Sequence, residues 1–255
     1  MVAGLAFLAT AVATLFAQAT GVRYSRTKAP HQGAWTFALA LFALASAALA
    51  TAASTGWDRG TFRPFYLLGA VLNVPWLALG TIYLMGGRKI GDRVRTGLVL
   101  FTGVAIGVVL AAPIHGTIAP LGGIPVGKDH FGVFPRVLAG AGSGVGAIVV
   151  FGGAVYSAIR FVRRRVPGMG YLAGGNALIA LGTLVLSSGG LLQGAVGQDE
   201  AFTISLALGI VVVYAGFVVA SSASRATVAD NSRRTSLPAS VRGNASTTST
   251  RVGSL

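Results

Sequence analysis

The chain has no cysteine, which excludes disulfides, thiolate metal sites, thiol nucleophiles and cysteine acylation together. Charge is scarce too: 10% of the 255 residues are Asp, Glu, Lys or Arg, against about 25% in a soluble domain. The supply of groups for proton transfer or metal binding is small, with six acids and three histidines. Apolar residues are plentiful instead, at 53% of the chain with 37 glycines and a mean hydropathy of +0.73. Most of this chain is not built to face water, and an all-α polytopic membrane protein is expected.

Uncharged stretches long enough to cross a hydrocarbon core of about 30 Å lie at about 2–20, 35–54, 65–86, 97–113, 137–159, 171–193 and 202–220. All the charges fall between or after them, so each helix can satisfy its own backbone hydrogen bonds without taking a charge into lipid. The expected fold is a seven-transmembrane-helix bundle over 1–220. Ala17-Gln18-Ala19 resembles a signal-peptide cleavage site, but the chain opens Met1-Val2-Ala3-Gly4 without a basic n-region, so the first span is expected to stay. The remainder, 221–255, holds 14 Ser or Thr and reads as a disordered, basic tail. In it Arg233-Arg234-Thr235-Ser236 has a form a basophilic kinase accepts, and Asn244-Ala245-Ser246 fits a glycosylation triplet.

Alternating the connections between two faces separates the charges. One face gathers Arg23, Arg26, Lys28, Arg88, Lys89, Arg93, Arg95, Arg160, Arg163, Arg164, Arg165 and the tail arginines, against Asp92 and Asp230 alone. The other carries Arg59, Arg63, Lys128 and Arg136, balanced by Asp58, Asp129, Asp199 and Glu200. The whole net charge of +14 therefore sits on one side. Short basic loops stay in the cytoplasm, which predicts the N-terminus outside and the C-terminus cytoplasmic. The basic face is expected to meet anionic lipid headgroups; without interleaved aromatic residues it does not suit nucleic acid.

Several membrane chemistries lack their residues. Seven helices with an outside N-terminus resemble an opsin, but Lys28, Lys89 and Lys128 all lie in loops, so no intramembrane lysine can form a retinal Schiff base. With no Asp or Glu inside a span, ion-coupled pumping is disfavoured. Ser143, in Gly140-Ala141-Gly142-Ser143-Gly144-Val145-Gly146, is placed like a nucleophile but has no histidine or aspartate pair in the spans to activate it. Gly142, Gly144 and Ala147 also fit a loose dinucleotide pattern, without the strand that pattern needs. Small residues four apart, Gly140 with Gly144 and Gly142 with Gly146, are read as faces for close helix packing. His115, Asp129 and His130 could approach one another on the outer side, but their spacing is not that of a local metal motif, and no cofactor is expected.

The third span carries the most informative polar content: Asn73-Val74-Pro75-Trp76, then Thr81 and Tyr83. Pro75 has no N–H to donate, so it should free the carbonyl of Val71 and kink the helix one turn from a buried amide. Kinked helices with polar groups nearby can hold uncharged ligands. The candidate ligand-binding residues are Asn73, Trp76 and Tyr83, with Gln18, Asn176 and Tyr214 placed to share a cavity; interhelical hydrogen bonding is the simpler use of Asn73 and Asn176. The loop 114–136, with Pro120, Pro125 and Pro135 among apolar residues, is expected to fold back over the bundle mouth. Seven spans divided three, one, three resemble the plan of SWEET-type sugar facilitators in architecture only, because no internal repeat relates spans one to three to spans five to seven. The expected activity is that of an uncoupled carrier or binder of a small neutral or amphipathic molecule. The alternative is a sensor or partner subunit that docks a protein through its basic face. An Arg-, Ala- and Gly-rich composition associates the chain with a bacterial inner membrane.

Overall fold

The computed structural model describes residues 1–118, 123–163, 174–175, 177–186 and 199–236. Among the described residues every regular element is helical. They are α1 (Val2–Thr27), α2 (Pro30–Thr55), α3 (Arg59–Pro64), a π-helix (Phe65–Asn73), α4 (Val74–Ala111), α5 (Gly127–His130), α6 (Val133–Arg163), α7 (Ala177–Leu186) and α8 (Asp199–Ser236). Five helical stretches are long and apolar enough to cross a membrane: Val2–Thr27, Pro30–Thr55, Arg59–Ala111, Val133–Ser157 and Asp199–Val219. The protein is all-α and has the character of a multi-pass membrane protein.

The stretch Arg59–Ala111 is itself a hairpin. Its 53 residues would reach about 80 Å in one straight helix, far beyond a hydrocarbon core of about 30 Å. At Gly87 the backbone takes φ 76° and ψ 179°, a conformation essentially confined to glycine, and the chain reverses. Tyr83 Oη donates to Asp92 Oδ1 at 2.8 Å, Trp76 Nε1 to Thr102 Oγ1 at 3.1 Å, and Arg63 Nη2 to the Ala112 carbonyl at 2.9 Å. Partners ever farther apart on either side of Gly87 define two antiparallel arms, 59–86 and 88–111, which match the predicted segments 65–86 and 97–113.

Local chemistry sets the other boundaries. Lys28 adopts a left-handed conformation, φ 52°, and donates its N–H to the Tyr24 carbonyl at 2.8 Å; Pro30 then opens α2, where its missing N–H costs nothing. α3 starts at a capping box, with the Thr61 N–H donating to Asp58 Oδ1 at 2.7 Å and the Asp58 N–H to Thr61 Oγ1 at 3.1 Å. α8 does not stop at the predicted span end of 220. Its backbone is helical to Ser236, into the segment read as a disordered tail, because no glycine or proline interrupts 217–237 and Pro238 is the first breaker. Residues 237–255, residues 171–173, 176 and 187–193 of the predicted 171–193 span, and the loop residues 119–122 lie outside the described set.

Close packing fixes the directions. α1 and α2 are antiparallel, with Ala6, Ala9 and Ala13 fully buried and Thr36 Oγ1 bonded to Thr20 Oγ1 at 3.0 Å. α2 runs antiparallel to the first arm: Trp35 Nε1 donates to the Leu77 carbonyl at 3.2 Å, and its indole lies on Gly80. α6 runs parallel to that arm, Gly142 against Pro75 and the Val71 carbonyl, Gly146 against Val74, and Gly153 against Thr81 and Met85. α7 lies antiparallel to α8 through Gly182, Gly209 and Gly216. α8 is parallel to α1, where Phe16 meets Tyr214 and Phe217 at 5.3 and 4.8 Å between ring centres. Of the two predicted small-residue faces on α6, Gly142 and Gly146 are packed, whereas Gly140 and Gly144 face open space.

Candidate functional site

The helix changes register just before Pro75. The preceding segment Phe65–Asn73 is π-helical, and α4 begins at Val74 with Pro75 in its first turn. Ser143 Oγ donates to the Ala70 carbonyl at 2.5 Å. The hydroxyl that resembled a nucleophile is thus a structural donor, tying α6 to a carbonyl just before Pro75.

Around this kink the predicted ligand residues are only partly assembled. Asn73 is half-buried, and its amide forms no hydrogen bond among the described residues. Trp76 gives its indole N–H to Thr102 and packs edge-on to Phe37 at 4.6 Å. Tyr83, buried seven residues on, shares a core cluster with Leu79 and Leu98 and gives its hydroxyl to Asp92. Tyr214 belongs to a separate cluster around Phe16 on α1. Gln18 is exposed, and Asn176 lies outside the described residues. The five that are described do not line one cavity: two hold the hairpin together, one packs elsewhere, and one points away.

Several threonine hydroxyls in the helices are satisfied locally. Thr10, Thr51, Thr183 and Thr203 each donate to the carbonyl four residues back, at 2.8, 2.9, 2.8 and 2.8 Å. Such back-bonding satisfies a hydroxyl inside its own helix.

At the end carrying α3 and α5 the bundle is closed by aromatic rings. Phe62 is fully buried, stacked on Phe131 at 5.1 Å, with Tyr66, Trp57 and the His130 ring around it. The apolar loop folds back here as expected: Ile124 and Phe131 are buried, and the Ile124 N–H donates to Asp199 Oδ2 at 2.7 Å. His115 and His130 are tied through the backbone, the His115 N–H to the His130 carbonyl at 2.9 Å and His130 Nδ1 to the His115 carbonyl at 3.1 Å. No group of three metal-ligating side chains forms among the described residues, so His115, Asp129 and His130 are not gathered as a metal set. Asp58, exposed at this end, has its carboxyl held below the usual carboxylate range by hydrogen bonds from the Thr61 side chain and backbone.

The opposite end is open. Between the first arm and α6 lies a cavity of about 320 Å³ that is open to the outside. Thr81, Ile82, Met85 and Gly86 form one wall. Ile148, Val149, Gly152 and Gly153 form the other. Thr81 is its one hydroxyl-bearing wall residue, and glycines on both sides supply its width. Its sequence signal is the pair Gly152-Gly153: Gly153 lets the helices close on Thr81 and Met85, and Gly152 beside it leaves open space.

No family model, no curated protein and no solved structure matches this chain. The groove and the kink must speak for themselves.

Proposed function

We propose that this is a seven-span membrane protein, N-terminus outside and basic face cytoplasmic, that binds a small amphipathic molecule entering sideways from the bilayer, as an uncoupled carrier or binder. The observation that carries the ligand reading is the open groove between the first arm of α4 and α6: apolar, about 320 Å³, with Thr81 as its polar wall group. A polar solute would need several unspent polar groups facing one cavity, whereas Trp76 and Tyr83 are engaged within the bundle. A molecule with an apolar body and a small polar head matches this lining. The seven-span reading is supported by the hairpin at Gly87, by the alternating helix directions, and by the one-sided charge.

Photo-crosslinking tests the ligand reading. A neutral single-chain amphiphile, monoolein carrying a diazirine, is added to the protein in nanodiscs, and the labelled peptides are mapped. Labelling concentrated at 81–86 and 148–153 is expected, and Gly152→Leu, which grows into open space, should suppress it. Labels spread evenly around the lipid-facing surface would contradict the proposal. Exchange of the same amphiphile between leaflets of proteoliposomes holding only this chain separates a carrier from a binder.

A further inference from the structure

Both helices that wall the groove carry cations just past their last wall residues, and the order of residues along them follows the chemistry of a membrane lipid. On α6 the apolar wall ends at Gly153; one turn on comes Tyr156, 53% exposed, and one further turn brings the exposed Arg160 onto the same face. On the first arm the wall ends at Gly86, followed after the Gly87 reversal by Arg88 and Lys89. Apolar wall, amphipathic ring and cations in sequence correspond to acyl chain, ester region and phosphate.

The charges beyond the walls favour an anion. Lys89 and Arg160 are exposed and make no ion pair among the described residues. Arg88 has its side chain 80% exposed and reaches Asp92 only at 3.9 Å. Asp92, the acid of this turn, already accepts the Tyr83 hydroxyl and lies 3.7 Å from Arg95, so it is not free to hold the ammonium of a zwitterionic headgroup. The groove, about 320 Å³ and open to the outside between two helices, is offered a single acyl segment.

We infer that the groove between the first arm of α4 and α6 holds one acyl chain of an anionic glycerophospholipid, its phosphate resting among Arg88, Lys89 and Arg160. This rests on the lateral-ligand reading above and names its ligand class. The second acyl chain stays in the surrounding bilayer.

Native mass spectrometry of the full chain, released from micelles with equal phosphatidylglycerol and phosphatidylcholine, tests it. Retention of one phosphatidylglycerol in preference to phosphatidylcholine is expected, and Arg88→Gln with Lys89→Gln should lower that preference about fivefold for each cation removed. Gly152→Leu should abolish retention of both lipids, and an unchanged melting temperature for each variant shows that the fold is intact. Equal retention of the two lipids by the unaltered protein, with monoolein still crosslinked in the groove, overturns the anionic-lipid inference alone. Displacement of the retained lipid by glycerol phosphate at equal concentration also overturns it, by making the site one for a free phosphate. If monoolein does not label the groove either, the lateral-ligand reading fails and takes this inference with it.

Discussion

The two ends of the bundle are finished by opposite means. At the α3–α5 end, bulky rings interlock around Phe62, the loop returns to bury Ile124 and Phe131, and acids balance the bases. At the Gly87 end the helices meet at Gly153, a groove lined by Gly86 and Gly152 remains beside that contact, and cations dominate. Rings make a seal because their contacts are many and their rotamers few. Glycines let backbones approach at some points and leave volume unfilled at others. The lesson is that this protein spends its aromatic residues on closing one end and its charges on marking the other.

Breaking the sealed end should have the largest effect. Phe62→Ala removes a fully buried ring from the stack on Phe131, and a loss of about 3–5 kcal/mol is expected, read as a lowered midpoint in detergent unfolding. A loss below about 1 kcal/mol would mean that the rings are not a packed core. At the open end the hairpin depends on one backbone conformation. Gly87→Ala meets no neighbouring atom, so any cost is conformational, about 1–3 kcal/mol. Gly103→Ala, in the second arm and equally open, is the control and should not destabilise, since alanine favours a helix more than glycine. Between the two ends, Ser143→Ala withdraws the donor from the Ala70 carbonyl, which should cost about 0.6–2 kcal/mol on the same midpoint.

How far these features were readable differs between the ends as well. The all-α, membrane-spanning character was legible because lipid demands long uncharged runs, and a break between 86 and 97 was legible because Arg88, Lys89, Asp92, Arg93 and Arg95 could not sit in hydrocarbon. The fold-back of 114–136 followed from apolar residues that needed cover. The π register at Pro75 was not legible, since nothing in Phe65–Asn73 distinguishes five-residue from four-residue pairing until a partner helix supplies Ser143. Polar residues also misled: Trp76 and Tyr83 looked available as ligands, yet each had a partner on the second arm, and sequence separation hides such pairs. The groove escaped notice because it is made of absent side chains, which a search for functional groups passes over.

The smallest expected effect belongs to the sealed end's capping box. Asp58 has its carboxyl lowered by bonds from Thr61, so the stability it contributes is present above the ordinary carboxylate range and fades as pH falls through the lowered value. Melting temperatures of the protein and of Asp58→Ala should therefore differ slightly near neutral pH and converge in acid. A difference that grew on acidification would reverse the sign and contradict the assignment.

The contrast between a neutral end and a basic end, and the proposal that the basic end is cytoplasmic, are tested most directly by cysteine labelling, which the cysteine-free chain permits without background. Single substitutions Thr117→Cys, in the returning loop, and Lys89→Cys, at the hairpin turn, are treated in intact cells with a membrane-impermeant maleimide. The account predicts that Thr117→Cys is labelled at once and Lys89→Cys only after permeabilisation. Labelling of Lys89→Cys in intact cells, with Thr117→Cys protected, would invert the bundle, and labelling of both would show that the two ends do not lie on opposite sides of the membrane.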